Sequence, residues 1–242
     1  MLSVIVTTFN RDNLLELGLH SIARQKNTNI EVIVINDGEE GNTENIAKKY
    51  GAKYIFTNKD NTKWWRTPGP AINKGVKAAE GDIIVLTCAE IYHLQYNTLE
   101  LLTQPLLTSY KALGIGHGWD DRNGRYLKAL ETCGHSNQLL HSCARLNTRL
   151  PFLMAINKIL FLELGGYDED LAKGASYDDD DIVTRLLDYG CQYTETAAEC
   201  VHLYHSRNIP TKYDAGRFEY NKKTYESRRG ILIRNLGYKE EE

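Results

Sequence analysis

Four short apolar runs, separated by helical patterns within the first ninety residues, constrain the fold more than any other feature. Leu2 to Phe9 is continuous and β-branched, as expected of a central parallel strand covered on both faces. Asn10-Arg11-Asp12 breaks it, and Leu14, Leu15, Leu19 and Ile22 then mark one face of a helix ending near Gln25. A second buried strand, Ile30 to Ile35, stops at Asn36-Asp37-Gly38. A helix over Thr43 to Tyr50 follows, capped by Gly51, and then a short strand, Lys53 to Phe56. Pro68 to Ala79 predicts a helix with proline near its start, and Gly81 closes it before the strand Asp82 to Thr87. Alternation of this kind means a doubly wound, mostly parallel α/β sheet with helices on both faces. Ligands of such sheets bind beyond the carboxyl ends of the strands. Here those ends carry Thr8-Phe9-Asn10, Asn36-Asp37-Gly38 and Cys88-Ala89-Glu90.

Beyond Glu90 the pattern loosens. Asn97 to Leu107 reads as helix, Ala112 to His117 as strand, and Trp119 to Arg149 is polar without a clear period. Pro151 to Ile156 resumes an apolar strand, Asn157 to Leu164 a helix, and Glu199 to Leu203 a strand. The tail from Tyr213 is amphipathic, a helix packed on the domain that ends in a solvated Lys-Glu-Glu-Glu. At 242 residues the chain suits one α/β domain, and no linker or repeat divides it. Net charge is −3 with no sustained Lys/Arg run, which argues against nucleic acid as a partner. Five cysteines, odd in number and without a CxxC pair, fit free thiols in a reducing compartment. The opening run LSVIVTTF is too short for a membrane span and has no basic leader, so the expected location is cytoplasmic. Neither GxGxxG nor GxxxxGK[ST] occurs.

The second informative stretch is GGYDEDLAKGASYDDDDIVTRLL, Gly165 to Leu187. Asp178 to Asp181 sit where an amphipathic helix begins. Steps of four give Asp178–Ile182–Leu186 and Asp179–Val183–Leu187 as core-facing rows. Asp180–Thr184–Asp188 and Asp181–Arg185 make the wet face, where Asp181 is expected to pair with Arg185 and Asp181→Asn to cost little in rate. Capping by Asp178 and the helix dipole account for one or two acids. Four adjacent like charges repel, and a cation or a proton-transfer role accounts for the rest.

Glu90, at a strand end, and the His202-x-x-His205 pair offer mixed oxygen and nitrogen donors, a set that favours Mn²⁺ over Ca²⁺. HxxH alone is a weak signal, because a strand sends its two imidazoles to opposite faces unless the chain turns. Trp64 and Trp65 suit stacking on a sugar or base as well as they suit anchoring a loop.

SVIVTTFNR, EVIVINDG and NKGVKAAEGDIIVL together resemble the nucleotide-binding half of family-two glycosyltransferases of the GT-A fold. LGGYDEDL, YDDDDIVTRL and the later HSR are similar to a galactosyltransferase C-terminal region. The resemblance implies a GT-A-type single domain over 1–242. Residues 1–93 would bind nucleotide, 94–212 would carry acceptor and catalytic groups, and 213–242 would form a helical tail. It implies that Asp37 reads uracil, that Thr8, Phe9 and Asn10 line base and ribose, and that Arg66 and Asn73 lie near the diphosphate. The family's metal motif, D-x-D, falls on Cys88-Ala89-Glu90, which keeps only the second acid; a histidine such as His93 follows it in similar variants. Glu90, His202 and His205 are then the implied ligands of Mn²⁺ (or Mg²⁺). Asp179 falls on the catalytic base, flanked by Asp178 and Asp180. The tryptophan of the family's acceptor loop is replaced near Ala175, so that acceptor mode does not transfer.

The activity implied is metal-dependent, inverting transfer of a sugar from a nucleotide-diphosphate donor, with UDP favoured, to a glycan or other hydroxyl acceptor. A modified nucleobase stays among the acceptors. Two other readings stand beside it. A non-catalytic nucleotide-sugar-binding protein is compatible with the acid missing at Cys88. A sugar nucleotidyltransferase needs a glycine-rich triphosphate loop, for which TTFNRDN is a poor substitute.

Overall fold

The computed structural model describes residues 1–26, 29–60, 65–134, 137–146, 151–206 and 215–235. Its first half alternates β1 (Leu2–Thr8), α1 (Asp12–Ala23), β2 (Ile30–Asn36), α2 (Thr43–Lys49), β3 (Lys53–Phe56), α3 (Gly69–Lys77) and β4 (Ile83–Cys88). β5 (Ile91–His93), α4 (Thr98–Thr103), β6 (Ala112–Asp120), α5 (Arg125–Cys133) and β7 (Ala144–Arg145) follow. β8 (Met154–Asn157), α6 (Lys158–Glu163), α7 (Asp178–Asp188), β9 (Gln192–His202) and α8 (Ala215–Ser227) complete the described elements.

One sheet runs through the molecule in the order β3-β2-β1-β4-β8-β6-β9-β5, with β7 paired to β6. The ladders β1–β2, β1–β4, β2–β3 and β6–β9 are parallel, and β8 and β5 join antiparallel to their neighbours. β1 is buried along its whole length, as a strand flanked on both sides and covered on both faces must be. Its side chains alternate between two cores. Ile5 joins Ile33, Ile35, Leu86, Val76, Phe161 and Leu186 on one face, and Val4 and Val6 join Val34, Val85, Leu15, Leu19 and Leu102 on the other. β1 and β4 lie side by side although the chain visits β2 and β3 between them. The order therefore reverses there, opening a crevice at their carboxyl ends.

The second half departs from the sequence reading in several places. The region read as irregular extends β6 to Asp120 and contains α5, whose first turn is held by Asp121 accepting from Tyr126 and Leu127 N–H. Pro151 to Leu153 is a 3₁₀ turn, because proline has no N–H for a ladder, and the strand starts at Met154. β9 is eleven residues long, reaching back to Gln192. α6 starts as expected, with Asn157 accepting from the Ile159 and Leu160 N–H groups. The solvated Lys-Glu-Glu-Glu end lies outside the described residues. Among the described residues no helix is long and apolar enough to cross a membrane.

Candidate active site

Three loops at the carboxyl edge carry the residues read from the first half. After β1, Thr8 is buried and its carbonyl accepts the Asp37 N–H at 2.9 Å. Asn10 turns left-handed (φ 53°), and its Oδ1 accepts from Glu39 N–H at 2.7 Å. Gly38 lies so close that a Cβ there would stand 2.1 Å from Asn10 Oδ1 and 2.8 Å from its backbone nitrogen, so glycine at 38 is a steric requirement of this junction. Phe9 carries Lys59 Nζ over its ring, 4.7 Å from the centroid.

Asp37 is the hub. Arg66 grips both of its oxygens (Nη2–Oδ1 2.7 Å, Nε–Oδ2 3.0 Å), Lys59 donates to Oδ2 at 2.9 Å and Thr57 to Oδ1 at 2.8 Å. Burial works against its charge, but the hydrogen bonds and charges of Arg66 and Lys59 prevail and hold the carboxyl below its usual range. Arg66 thus stands with the acid expected to read the base. Asn73 spends its amide elsewhere: it donates to Tyr167 carbonyl and Glu169 Oε1 and accepts from Tyr167 N–H, each at 2.9 Å. Trp65 is half-buried, and Trp64 lies outside the described residues.

β4 ends at Cys88, whose thiol burial pushes up to about 12; Arg11 opposes that shift and the charge of Asp179 adds to it. Ala89 is fully buried and donates to the Thr7 carbonyl. Glu90 is buried, ion-paired with Arg11, and its Oε1 lies 4.0 Å from His205 Nε2. The His202 and His205 rings are 5.1 Å apart and edge-on; the strand ends at His202 and His205 lies in the irregular segment beyond it. His202 Nδ1 faces Asp120 Oδ1 at 3.2 Å. Glu90 and His205 therefore converge, while His202 is shared with Asp120. Among the described residues no set of three or more His, Cys, Asp or Glu side chains closes a cage of its own. His93 is fully buried, with neither ring nitrogen hydrogen-bonded.

The acid helix corrects the sequence phase. Asp178 is the first helical residue rather than the cap; the cap position is Tyr177, left-handed at φ 66°. The buried row is Asp178, Asp181, Ile182, Arg185 and Leu186, whereas Leu187 is 46% exposed. Asp181 and Arg185, expected on the wet face, form a buried pair (2.7 Å), because Arg234 reaches Asp181 from behind at 2.8 Å. Arg185 also donates to the Leu164 and Gly166 carbonyls. Asp180 is exposed. Asp179 accepts from the Tyr167 hydroxyl at 3.2 Å, and its carboxyl is pushed up to about 6, chiefly by burial. Asp178 is pushed well above its ordinary range by burial and by the Asp179 charge.

Arg11, Lys59, Asp120 and Tyr167 join this site without having been picked from the sequence. Arg11 and Tyr167 lie inside the quoted motifs FNR and GGYD, so proximity in sequence was a usable signal for those two.

Beside these residues runs a cleft of about 690 Å³, lined among others by Asn10, Arg11, Glu39, Tyr204 and His205. A second, of about 670 Å³, contains Asp120, Arg122, His202 and His205. The two share Tyr204 and His205.

A mixed sheet of this order, with charged groups gathered at its carboxyl edge, is the architecture of GT-A glycosyltransferases. A Pyrobaculum calidifontis mannosyltransferase in complex with GDP-Man and Mn²⁺ overlays 96% of the chain and 65% of its own (TM-score 0.61, 18% identity). Glucosyl-3-phosphoglycerate synthase from Mycobacterium tuberculosis, in complex with Mn²⁺ and UDP-glucose, overlays 98% and 81% (TM-score 0.60, 17% identity). Residues 3–146 match the model for glycosyl transferase family 2, and the chain belongs to that family. An uncharacterized glycosyltransferase of Rickettsia typhi is 28% identical over an alignment of 193 positions that covers 74% of this chain and 57% of that protein. The chain thus spans little more than half the length of that relative. The 4,4'-diaponeurosporenoate glycosyltransferase of Staphylococcus aureus is 30% identical over 46% of the chain and 30% of its own length.

Proposed function

We propose that this glycosyltransferase moves a sugar from a uridine diphosphate donor to an acceptor hydroxyl with inversion, Asp179 acting as general base. The observation that carries the reading is the raised acid pair Asp178–Asp179, set at the sheet's carboxyl edge where the charge of Asp179 reaches Cys88. A base titrating near 6 is ionised at neutral pH yet retains enough basicity to take a hydroxyl proton. The acceptor oxygen attacks the anomeric carbon as its proton passes to Asp179, and the bond to the diphosphate breaks on the opposite face. Asp178 and Asp180 flank the base, with Asp178 meeting the acceptor.

Asp37 would read the base beside Thr8, Phe9 and Asn10, kept ionised by Arg66 and Lys59. One structural neighbour carries UDP-glucose and another GDP-Man, so the uridine preference rests on Asp37. Glu90 and His205, with His202, fit Mn²⁺ (or Mg²⁺). Their donors are a carboxylate and imidazoles, and Glu90 already accepts a cation in the form of the Arg11 guanidinium. Such an ion, when bound, supplies Lewis-acid neutralisation of the diphosphate charge. The Gly165–Leu187 motifs and the following His-Ser support a galactosyltransferase-like acceptor half, with a glycan or other hydroxyl compound as acceptor.

The test is a panel of UDP- and GDP-sugars with Mn²⁺, monitored for donor hydrolysis and transfer in the wild type and in Asp179→Asn. Turnover of a UDP-sugar that Asp179→Asn loses supports the reading. Tight nucleotide binding with no turnover of any donor would replace it with the non-catalytic binder, which the thiol at Cys88 and the Arg11–Glu90 pair favour.

A further inference from the structure

Just ahead of the acid helix the backbone is left-handed at two successive residues with side chains, Ser176 (φ 65°) and Tyr177 (φ 66°). Cβ crowding disfavours that conformation, so two in a row persist only when the surroundings impose them. α8 supplies the constraint. Asn221, fully buried, donates through Nδ2 to the Ser176 carbonyl at 2.6 Å and to the Leu171 carbonyl at 2.9 Å. Arg217 donates to the Gly174 carbonyl at 2.9 Å, and its own carbonyl accepts from Ala175 N–H. The Tyr177 ring lies against Phe218 and Tyr225, at centroid distances of 5.3 and 5.4 Å. Gly174 packs so tightly on Asn221 that a Cβ would stand 2.0 Å from its Oδ1. The Tyr177 carbonyl then accepts from Asp181 N–H and begins the helix, so the turn sets the rotation of every acid in that first turn.

We propose that Asn221 is a positioning residue that holds the Ser176–Tyr177 turn left-handed and so aims Asp178 and Asp179 at the sheet's carboxyl edge. This rests on the reading that those acids do the chemistry. Asn221 acts through the backbone and touches neither carboxylate in any hydrogen bond described above. A one-residue change in helix phase would carry Asp179 about 100° around the axis, out of reach of an acceptor.

The experiment measures turnover of a UDP-sugar with Mn²⁺, donor KM and calorimetric UDP affinity in Asn221→Ala. The double variant Ser176→Gly/Asn221→Ala and the single variant Ser176→Val are measured beside it. Asn221→Ala should lower kcat by about 10–100-fold with UDP affinity within about twofold of wild type. Glycine enters the left-handed region without the Cβ penalty, so the double variant should recover part of the lost kcat. Ser176→Val keeps Asn221 but makes the turn costlier, and should lose kcat in the same way even if Asn221→Ala fails to fold. Wild-type kcat in Asn221→Ala or in Ser176→Val overturns the proposal, as does joint loss of kcat and UDP affinity that glycine does not repair. Asp179→Asn run alongside separates the two claims. Full activity there removes the catalytic reading, whereas an inert Asp179→Asn beside a fully active Asn221→Ala removes the positioning role alone.

Discussion

The Tyr167 hydroxyl donates to Asp179 at 3.2 Å and eases its ionisation, but burial and the neighbouring Asp180 charge outweigh that help and leave the carboxyl near 6. Its ionised form therefore appears only as pH rises through about 6. The proposed turnover should fall on the acid side there, with a limb belonging to the coupled Asp178–Asp179 pair rather than to one residue. The stability sign is the reverse: a carboxyl whose folded pKa lies above its unfolded one costs stability when ionised, so this pair stabilises the fold relative to neutral pH as pH drops below about 6. A pH–rate profile checks the first statement. Asp179→Asn keeps size but cannot take the proton, and should lower turnover by about 10²–10⁴-fold while UDP binding stays intact. Asp37→Ala strands Arg66 and Lys59 as neighbouring like charges. It should weaken UDP binding by about 1–3 kcal/mol, and unchanged calorimetric affinity would remove Asp37 from the base site. That Asp37 and Glu90 follow strand ends and Asp179 lies in a first helical turn is legible because these are local features. Their partners are not: Lys59 lies 22 residues from Asp37 and sits in a loop with no period to mark it.

At the scale of elements, α7 shows why helical phase alone misplaces charges. Asp181 and Arg185 look like a surface pair four residues apart, yet both are about 2% exposed, because Arg234 completes the neutralisation from a segment far along the chain. Breaking a buried ion pair leaves a desolvated charge, so Asp181→Asn should cost about 3–5 kcal/mol. A urea titration reads this directly, and an unchanged midpoint would return Asp181 to the wet face. β9 escaped in its first half for the opposite reason: Gln192 to Ala197 is polar and partly exposed, and only Ala198 to Val201 packs as a core strand does. The first half of the molecule was legible because its central strands β1 and β4 are apolar on both faces and strand and helix alternate closely along the chain.

Across the whole molecule, acid should find its weak point at His93. Burial pushes its imidazole down to about 4, and neither ring nitrogen has a hydrogen-bond partner. A base with a depressed folded pKa leaves stability intact above the unfolded value of about 6.5 and removes it progressively as pH falls toward 4. The loss should amount to about 3 kcal/mol at the acid end. Comparing urea midpoints of wild type and His93→Leu between pH 7 and 4 isolates this contribution, because the acid pair titrates in both. The antiparallel joins of β8 to β4 and β6, and of β5 to β9, were illegible at this scale, since a sheet's second half can close on the first in either direction without changing its apolar pattern. What binds the halves is partly a single amide. Asn73, on α3, accepts from the N–H and donates to the carbonyl of Tyr167, pairing with that residue as a neighbouring strand would. A side chain is standing in for a rung of sheet. Parting the two halves would strand a buried peptide group on one side and a buried amide on the other, so neither half should have a melting transition of its own. Heat should take the nucleotide edge and the acid helix apart together, in one calorimetric peak.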